Sequence, residues 1–169
     1  MLLLKFEELK AGEIINYTGG LIVMRDAAHK RIKEMKERNE KLPVDFKDKI
    51  IFYAGPAKKP DFQAVGSIGP TTSNRMDGFL EIMYQLGISA TVGKGKRSGF
   101  VAGLNKKYSK VYFVTPSGMA AMLSQKVKKH TVLAFDDLGT EAIQELIVED
   151  FPLMTAIDVN GEDIFDIGG

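Results

Sequence analysis

Short apolar runs separated by glycine, proline and charge set the pattern of this chain. Residues 13–17 (Glu-Ile-Ile-Asn-Tyr) and 21–24 (Leu-Ile-Val-Met) are strand-like, and Thr18-Gly19-Gly20 between them is a turn signal, so the spacing predicts a small hairpin. Asp26 then stands as the N-cap of a helix running to about Leu42, where Pro43 prevents continuation. Lys30/Glu34 and Glu34/Arg38 place opposite charges at helical spacing on its solvated face. Residues 49–55 form the clearest strand, followed by a rigid loop over 55–60 and an apolar run over 64–68 that reads as a buried strand. Met76, Phe79, Leu80, Met83 and Tyr84 recur at helical spacing, and Gly87 sits where that helix would stop. Further strands are predicted over 88–92, 111–115, 131–135, 145–148 and 153–159. A short helix through Met119, Ala120, Met122 and Leu123 follows the break at Pro116-Ser117-Gly118, and Asn160-Gly161 is a hairpin signal.

Strands alternating with helices through the middle, flanked by hairpins, predict an α/β domain with a parallel central sheet, flanking helices and an added antiparallel β layer. The length of 169 residues fits one domain spanning 1–169, with enough chain for a real core. A net charge of +1 gives no support for a broad nucleic-acid or membrane surface. No apolar run approaches the roughly 20 residues needed to span a bilayer, and the opening Met1-Leu2-Leu3-Leu4-Lys5 is too short for a signal peptide, so the expected location is cytoplasmic. The chain has no cysteine, which excludes disulfides, a thiolate nucleophile and a cysteine-ligated cluster held by this chain alone. With two histidines, His29 and His130, a zinc site is not expected.

The candidate chemistry sits in Gly69-Pro70-Thr71-Thr72-Ser73-Asn74-Arg75-Met76-Asp77-Gly78, read as a strand-to-helix turn. Thr72 or Ser73 suits an N-cap, the first helical turn offers free N–H donors to an anion, and Arg75 adds the paired donors that grip a carboxylate. Arg25 is a second cation at a strand-helix junction, unless it merely pairs with Asp26; His29 beside it reads as a packed or capping histidine before a catalyst. Gly93-Lys94-Gly95-Lys96-Arg97-Ser98-Gly99 combines flexible backbone with three cations and reads either as an anion cradle or as a solvated basic loop. It is not a P-loop: Gly87 lies one residue too far before Gly93-Lys94, and Gly95 stands where the magnesium-binding Ser or Thr belongs. Arg25, Thr71, Thr72, Arg75 and Lys94 all follow predicted strand ends, the side on which open α/β sheets bind ligands.

These motifs, in this order, together with Glu149-Asp150-Phe151-Pro152, resemble the class I (iron–sulfur) fumarase/tartrate dehydratase family, and specifically its β subunit. The resemblance runs from about residue 6 to 165. It implies a swivelling β/β/α domain and an α-subunit partner whose three cysteines hold a 4Fe-4S cluster, and it leaves a heterotetramer open. It implies that Arg25, Thr71, Arg75 and Lys94 contact a small dicarboxylate and that Thr71 takes part in proton transfer; Thr72, in the same turn, is read as binding substrate with them, and Lys94 as catalytic through its charge. The implied reaction is reversible hydration of fumarate to L-malate; the motifs leave tartrate dehydration open, since they read carboxylates. Ser117-Gly118-Met119 is less glycine-rich than that part of the family. A reading from another class is a stand-alone anion-binding regulatory module built on the same cations.

Overall fold

The structure, a computed structural model, describes residues 5–56, 68–115, 118 and 120–166. Strand β1 (Ile14–Val23) leads through Met24 and Arg25 into helix α1 (Asp26–Glu37). β2 (Ile50–Phe52) is followed at once by β3 (Ala54–Pro56), which pairs antiparallel with β4 (Ile68–Pro70). A 3-10 turn (Ser73–Met76) opens α2 (Asp77–Gln85), and then come β5 (Ala90–Gly93), α3 (Phe100–Tyr108), β6 (Val111–Val114), α4 (Ala120–Ser124), β7 (Val127–Ala134) and β8 (Ile143–Ile157).

The main sheet runs β1-β2-β5-β6-β8-β7, with β1 also paired to β8. β1, β2, β5 and β6 are parallel neighbours, whereas β8 is antiparallel to β1, β6 and β7. The sheet therefore closes through β8 into a small barrel, with β3 and β4 as a separate antiparallel layer. The parallel core, flanking helices and added antiparallel layer are those expected from the sequence; the closure is not.

Alternate residues of the parallel strands serve two cores, which is why these strands are apolar on both faces. Leu21, Val23, Phe52, Val92 and Phe113 point into the barrel with Leu146, Phe151 and Leu153 of β8. Ile22, Met24, Ile51, Tyr53 and Tyr112 face outward against Ile32 of α1, Leu80 and Met83 of α2 and Val101 of α3.

Several expected boundaries are corrected. No hairpin forms at residues 13–24: β1 is one strand of ten residues. Its Thr18 lies opposite Glu149 and Asp150 of β8, where the register steps from Tyr17↔Phe151 to Gly19↔Val148. Two residues of β8 oppose one of β1, a bulge. Asp150 takes φ 54° and its N–H donates to Thr18 Oγ1 at 3.1 Å. The same bulge joins the two predicted strands at 145–148 and 153–159 into β8. Helix α1 ends at Glu37, short of Leu42, and its N-cap is Arg25, with Asp26 the first helical residue. The predicted strand over 49–55 splits between two sheets. Helix α3 was not foreseen, and Asn160-Gly161 makes a turn closed by the isolated bridge Ile157↔Asp163 instead of joining two strands. The predicted rigid loop beyond Pro56, the apolar run before Ile68, and Pro116, Ser117 and Met119 lie outside the described residues.

Candidate functional site

Because β1, β2 and β5 are parallel, their C-terminal ends share one side of the sheet, and the segments that follow them meet there. β2 hands over to Tyr53, whose carbonyl accepts the N–H of Thr71 at 2.8 Å. β5 hands over to Lys94, which makes an isolated parallel bridge with Thr72. β1 hands over to Arg25, whose guanidinium lies flat on Gly55 of β3: a Cβ built on Gly55 would stand 2.9 Å from Arg25 Cζ. Gly55 is in turn the strand partner of Gly69. The segments after β2 and β5 are thus tied to the Thr71-Thr72 turn by backbone contacts, the Arg25 segment joins them through its side chain on Gly55, and Arg25, Thr71, Thr72, Arg75 and Lys94 ride on these segments.

The side chains differ in how they are held. Arg75 Nη2 donates to Asp26 Oδ2 at 3.1 Å and to Thr71 Oγ1 at 3.0 Å, and its side chain is 48% exposed. Thr71 therefore accepts a charge-assisted bond and keeps its own hydroxyl proton for another acceptor. Asp26 pairs with Arg75, not with Arg25. Among the described residues Arg25 has one ionic neighbour, Glu141 at 4.0 Å, and its buried Nε has no hydrogen-bond partner. Lys94 is half-buried, and its ammonium makes no ion pair or hydrogen bond among the described residues. The structure so brings two guanidinium groups, an ammonium and a threonine hydroxyl to one end of the sheet.

Neither Thr72 nor Ser73 caps a helix with its side chain. Ser73 instead turns to the β5 end: its N–H donates to the Lys94 carbonyl, and its Oγ accepts the Lys94 N–H, each at 3.1 Å. The expected trio of loop cations is also corrected. Lys96 pairs with Asp166, and Arg97 is buried, only 3% exposed, with Asp77 as its ion pair. The Arg97 guanidinium also donates to Thr91 Oγ1 and to the Tyr53 hydroxyl and lies over the rings of Tyr53 and Tyr112. Asp77 holds the loop a second time by accepting the Ser98 N–H at 2.7 Å. A sequence signal for this pair exists. Asp77 falls three and seven residues before Leu80 and Tyr84, on the buried stripe of α2, and a buried carboxylate calls for a buried cation.

His29 packs beneath Arg25. Only 1% exposed, it lies between Phe79 and Tyr53, with ring centroids 5.6 Å away in each case. Its Nδ1 is 2.8 Å from the Arg25 carbonyl, which can only accept, so Nδ1 carries the proton and Nε2 is a buried acceptor without a partner among the described residues. Burial pushes the imidazole pKa down to about 4, against the smaller opposing effect of the Arg25 carbonyl. The ring is therefore neutral at pH 7.

An iron–sulfur cluster finds no ligands here. The sequence contains no cysteine, and among the described residues no group of three or more His, Asp or Glu converges as a metal site. Among the described residues no helix is long and apolar enough to cross a membrane.

Comparison with known proteins places these residues in context. The family model described as Fumarase C-terminus matches residues 2–168. Fumarate hydratase 2 of Leishmania major is 41% identical over 163 residues, which cover 95% of this chain and 29% of that protein. The aerobic class I fumarate hydratase of Escherichia coli is 40% identical over 153 residues, 89% of this chain and 28% of its own length. The putative L(+)-tartrate dehydratase subunit beta of Methanocaldococcus jannaschii is 42% identical over 166 residues, 95% of this chain and 85% of its own length. The chain thus spans less than a third of the fumarate hydratases it matches. With a family match over almost every residue, the chain belongs to the fumarase C-terminus family, as the β-subunit-equivalent domain of the class I fumarases and tartrate dehydratases.

Proposed function

We propose that residues 1–169 act as one domain, the β subunit of a cytoplasmic hydro-lyase, which binds a dicarboxylate and completes an active site with an α subunit carrying the 4Fe-4S cluster. Fumarate and L-malate are the proposed substrates. The observation that carries this reading is the junction where Arg75 bonds Thr71 beside the Arg25 guanidinium, whose buried Nε has no hydrogen-bond partner among the described residues, and the Lys94 ammonium, unpaired among those residues. Cationic donors gathered at strand ends suit a dianion. The cluster falls to the partner because this chain has no thiolate.

In this reading Arg25 and Arg75 hold carboxylate oxygens through paired donors, and Thr72 lines the same turn. The demanding step is proton exchange at the carbon next to a carboxylate, where negative charge builds on the carboxylate oxygens. Preformed cations aimed there stabilise that charge without reorganising. Lys94 supplies a point charge. An alcohol is a weak base, but Thr71 accepts a guanidinium N–H, which favours its alkoxide, and this supports Thr71 as the group that moves the proton. Arg75 is the group to give up Asp26 in favour of substrate, since its ion pair is half exposed and therefore weak.

The test is co-expression with the cluster-bearing subunit, anaerobic reconstitution, and assay of fumarate, malate and both tartrates. Arg25→Ala and Arg75→Ala should each lose at least about tenfold in kcat/KM, because a hydrogen bond to a charged group is worth about 1.5–3 kcal/mol and tenfold is about 1.4 kcal/mol. Arg75→Lys should be impaired too, because an ammonium lacks the fork of donors. Lys94→Ala should lower kcat more than it raises KM. Arg38→Ala, at the far end of α1, is the control. If the three variants fold, assemble and turn over like the control, the proposed site is wrong. A second reading, tartrate dehydration, is favoured by the 42% identity to the putative L(+)-tartrate dehydratase subunit beta of M. jannaschii, and preferential turnover of a tartrate would select it.

A further inference from the structure

Behind Lys94 lies a set of buried hydroxyls. Ser73 Oγ accepts the Lys94 N–H at 3.1 Å and stands 2.8 Å from the Tyr112 hydroxyl, which also reaches the Gly95 carbonyl at 2.9 Å. The Gly95 carbonyl can only accept, so the phenol proton goes there and the Ser73 proton goes to the phenol oxygen. Every proton in the chain then has one destination. Both hydroxyls are buried, and Tyr112 is fixed from its ring side by the Arg97 guanidinium 4.7 Å from the ring centroid. Gly93 completes the fit: a Cβ there would stand 1.9 Å from Ser73 Oγ, so the serine hydroxyl fills the place of a side chain on the last residue of β5. The Ser73 backbone adds its N–H to the Lys94 carbonyl, so residue 94 is held at its amide, at its carbonyl and at the following carbonyl.

We infer that Ser73 and Tyr112 are positioning residues that fix the backbone on both sides of Lys94, and through it aim the Lys94 ammonium at the site that Thr71 and Arg75 form on the same turn. The inference rests on the proposed role of Lys94. A serine in the substrate-binding turn thereby ties that turn to the lysine loop, so the two halves of the site keep one spacing. Neither hydroxyl needs to touch substrate to matter, since a misplacement of about 1 Å at a charged group can cost about a hundredfold in rate.

The experiment is a double-mutant cycle in the assembled enzyme. Ser73→Ala and Tyr112→Phe each remove one oxygen, and the second keeps the ring beneath Arg97. Each should lower kcat/KM about tenfold with the lysine present and less than about twofold in the Lys94→Ala background, because a group acting through Lys94 has nothing left to act on. Hydrogen exchange of the Lys94 amide, read by mass spectrometry on the same complexes, should be faster in Ser73→Ala. Tyr112→Phe carries the test if Ser73→Ala fails to assemble. An equal loss in both backgrounds would overturn the inference, as would wild-type turnover by Ser73→Ala and Tyr112→Phe while Lys94→Ala is impaired. Wild-type turnover by Lys94→Ala alone would overturn the functional reading on which it rests.

Discussion

Replacing Gly55 by alanine separates the stability of this fold from the aim of one side chain. Gly55 has an ordinary strand backbone, and the three atoms nearest a new methyl all belong to the Arg25 guanidinium, with Cζ at 2.9 Å, Nη1 at 3.0 Å and Nε at 3.2 Å. Ordinary contact begins at 3.4 Å, so the guanidinium must lift by about half an ångström or more. It is the end of a flexible chain, which makes the shift cheap for the fold. Gly→Ala at a compatible site even gains about 0.4–1 kcal/mol by restricting the unfolded chain. The effect on function runs the other way. Displacing a carboxylate-holding guanidinium by up to about 1 Å puts at risk a bond of about 1.5–3 kcal/mol, so kcat/KM should fall about tenfold to a hundredfold. The assay pairs steady-state kinetics of the reconstituted enzyme with a thermal melt of the same preparation. Gly55→Ala that melts at or above the wild-type temperature and loses turnover supports the reasoning. Gly55→Ala with wild-type kcat/KM, alongside an impaired Arg25→Ala, would refute the claim that Gly55 sets where that guanidinium lies.

His29 gives a pH dependence with a definite sign. Its folded pKa of about 4 lies below the ordinary 6.5, so below pH 6.5 the unfolded chain binds the proton first and stability falls as pH drops toward 4, levelling off beneath it. The loss by pH 5 is about 2 kcal/mol. His29→Asn, whose amide can still donate to the Arg25 carbonyl, should flatten that slope in urea titrations between pH 7 and 5; an unchanged slope counts against a buried neutral imidazole. Asp77→Ala strands the Arg97 cation in the interior and should cost about 3–5 kcal/mol in urea unfolding, far more than the cost of an exposed pair, and a loss under about 1 kcal/mol would contradict its burial.

Much of the architecture was legible from local pattern. The parallel strands announced themselves as apolar runs ending in glycine or charge, and Gly87 closed α2 at φ +97° where the periodicity stopped. What misled were pairs of features that make sense only together. Thr18-Gly19-Gly20 reads as a turn, and 145–148 and 153–159 as separate strands, until Thr18 and Glu149-Asp150 are seen to be bulge partners. The 50–56 run changes sheet at Tyr53, which no periodicity of a single strand can show. At the site, residue types and their order pointed to Arg25, Thr71, Thr72, Arg75 and Lys94. The roles of Ser73 and Arg97 were not legible, because a serine in a first turn and an arginine in a basic loop have common surface explanations. Only the approach of Gly93 and of Asp77 turns them inward.

Closure of the barrel through β1 and β8 has a kinetic side. Ile22 pairs with Glu145, so the strand that delivers Arg25 finds its outer neighbour more than a hundred residues later in the chain. Such a pairing forms only after a long loop has been closed, which slows folding and leaves the outer edge of β1 bare until β8 arrives. During synthesis β1 waits, with unpaired N–H and C=O groups along that edge, for β8. The bulge at Thr18 and Asp150 then acts as a register mark, since a slip by one residue would turn Leu21 and Val23 out of the barrel.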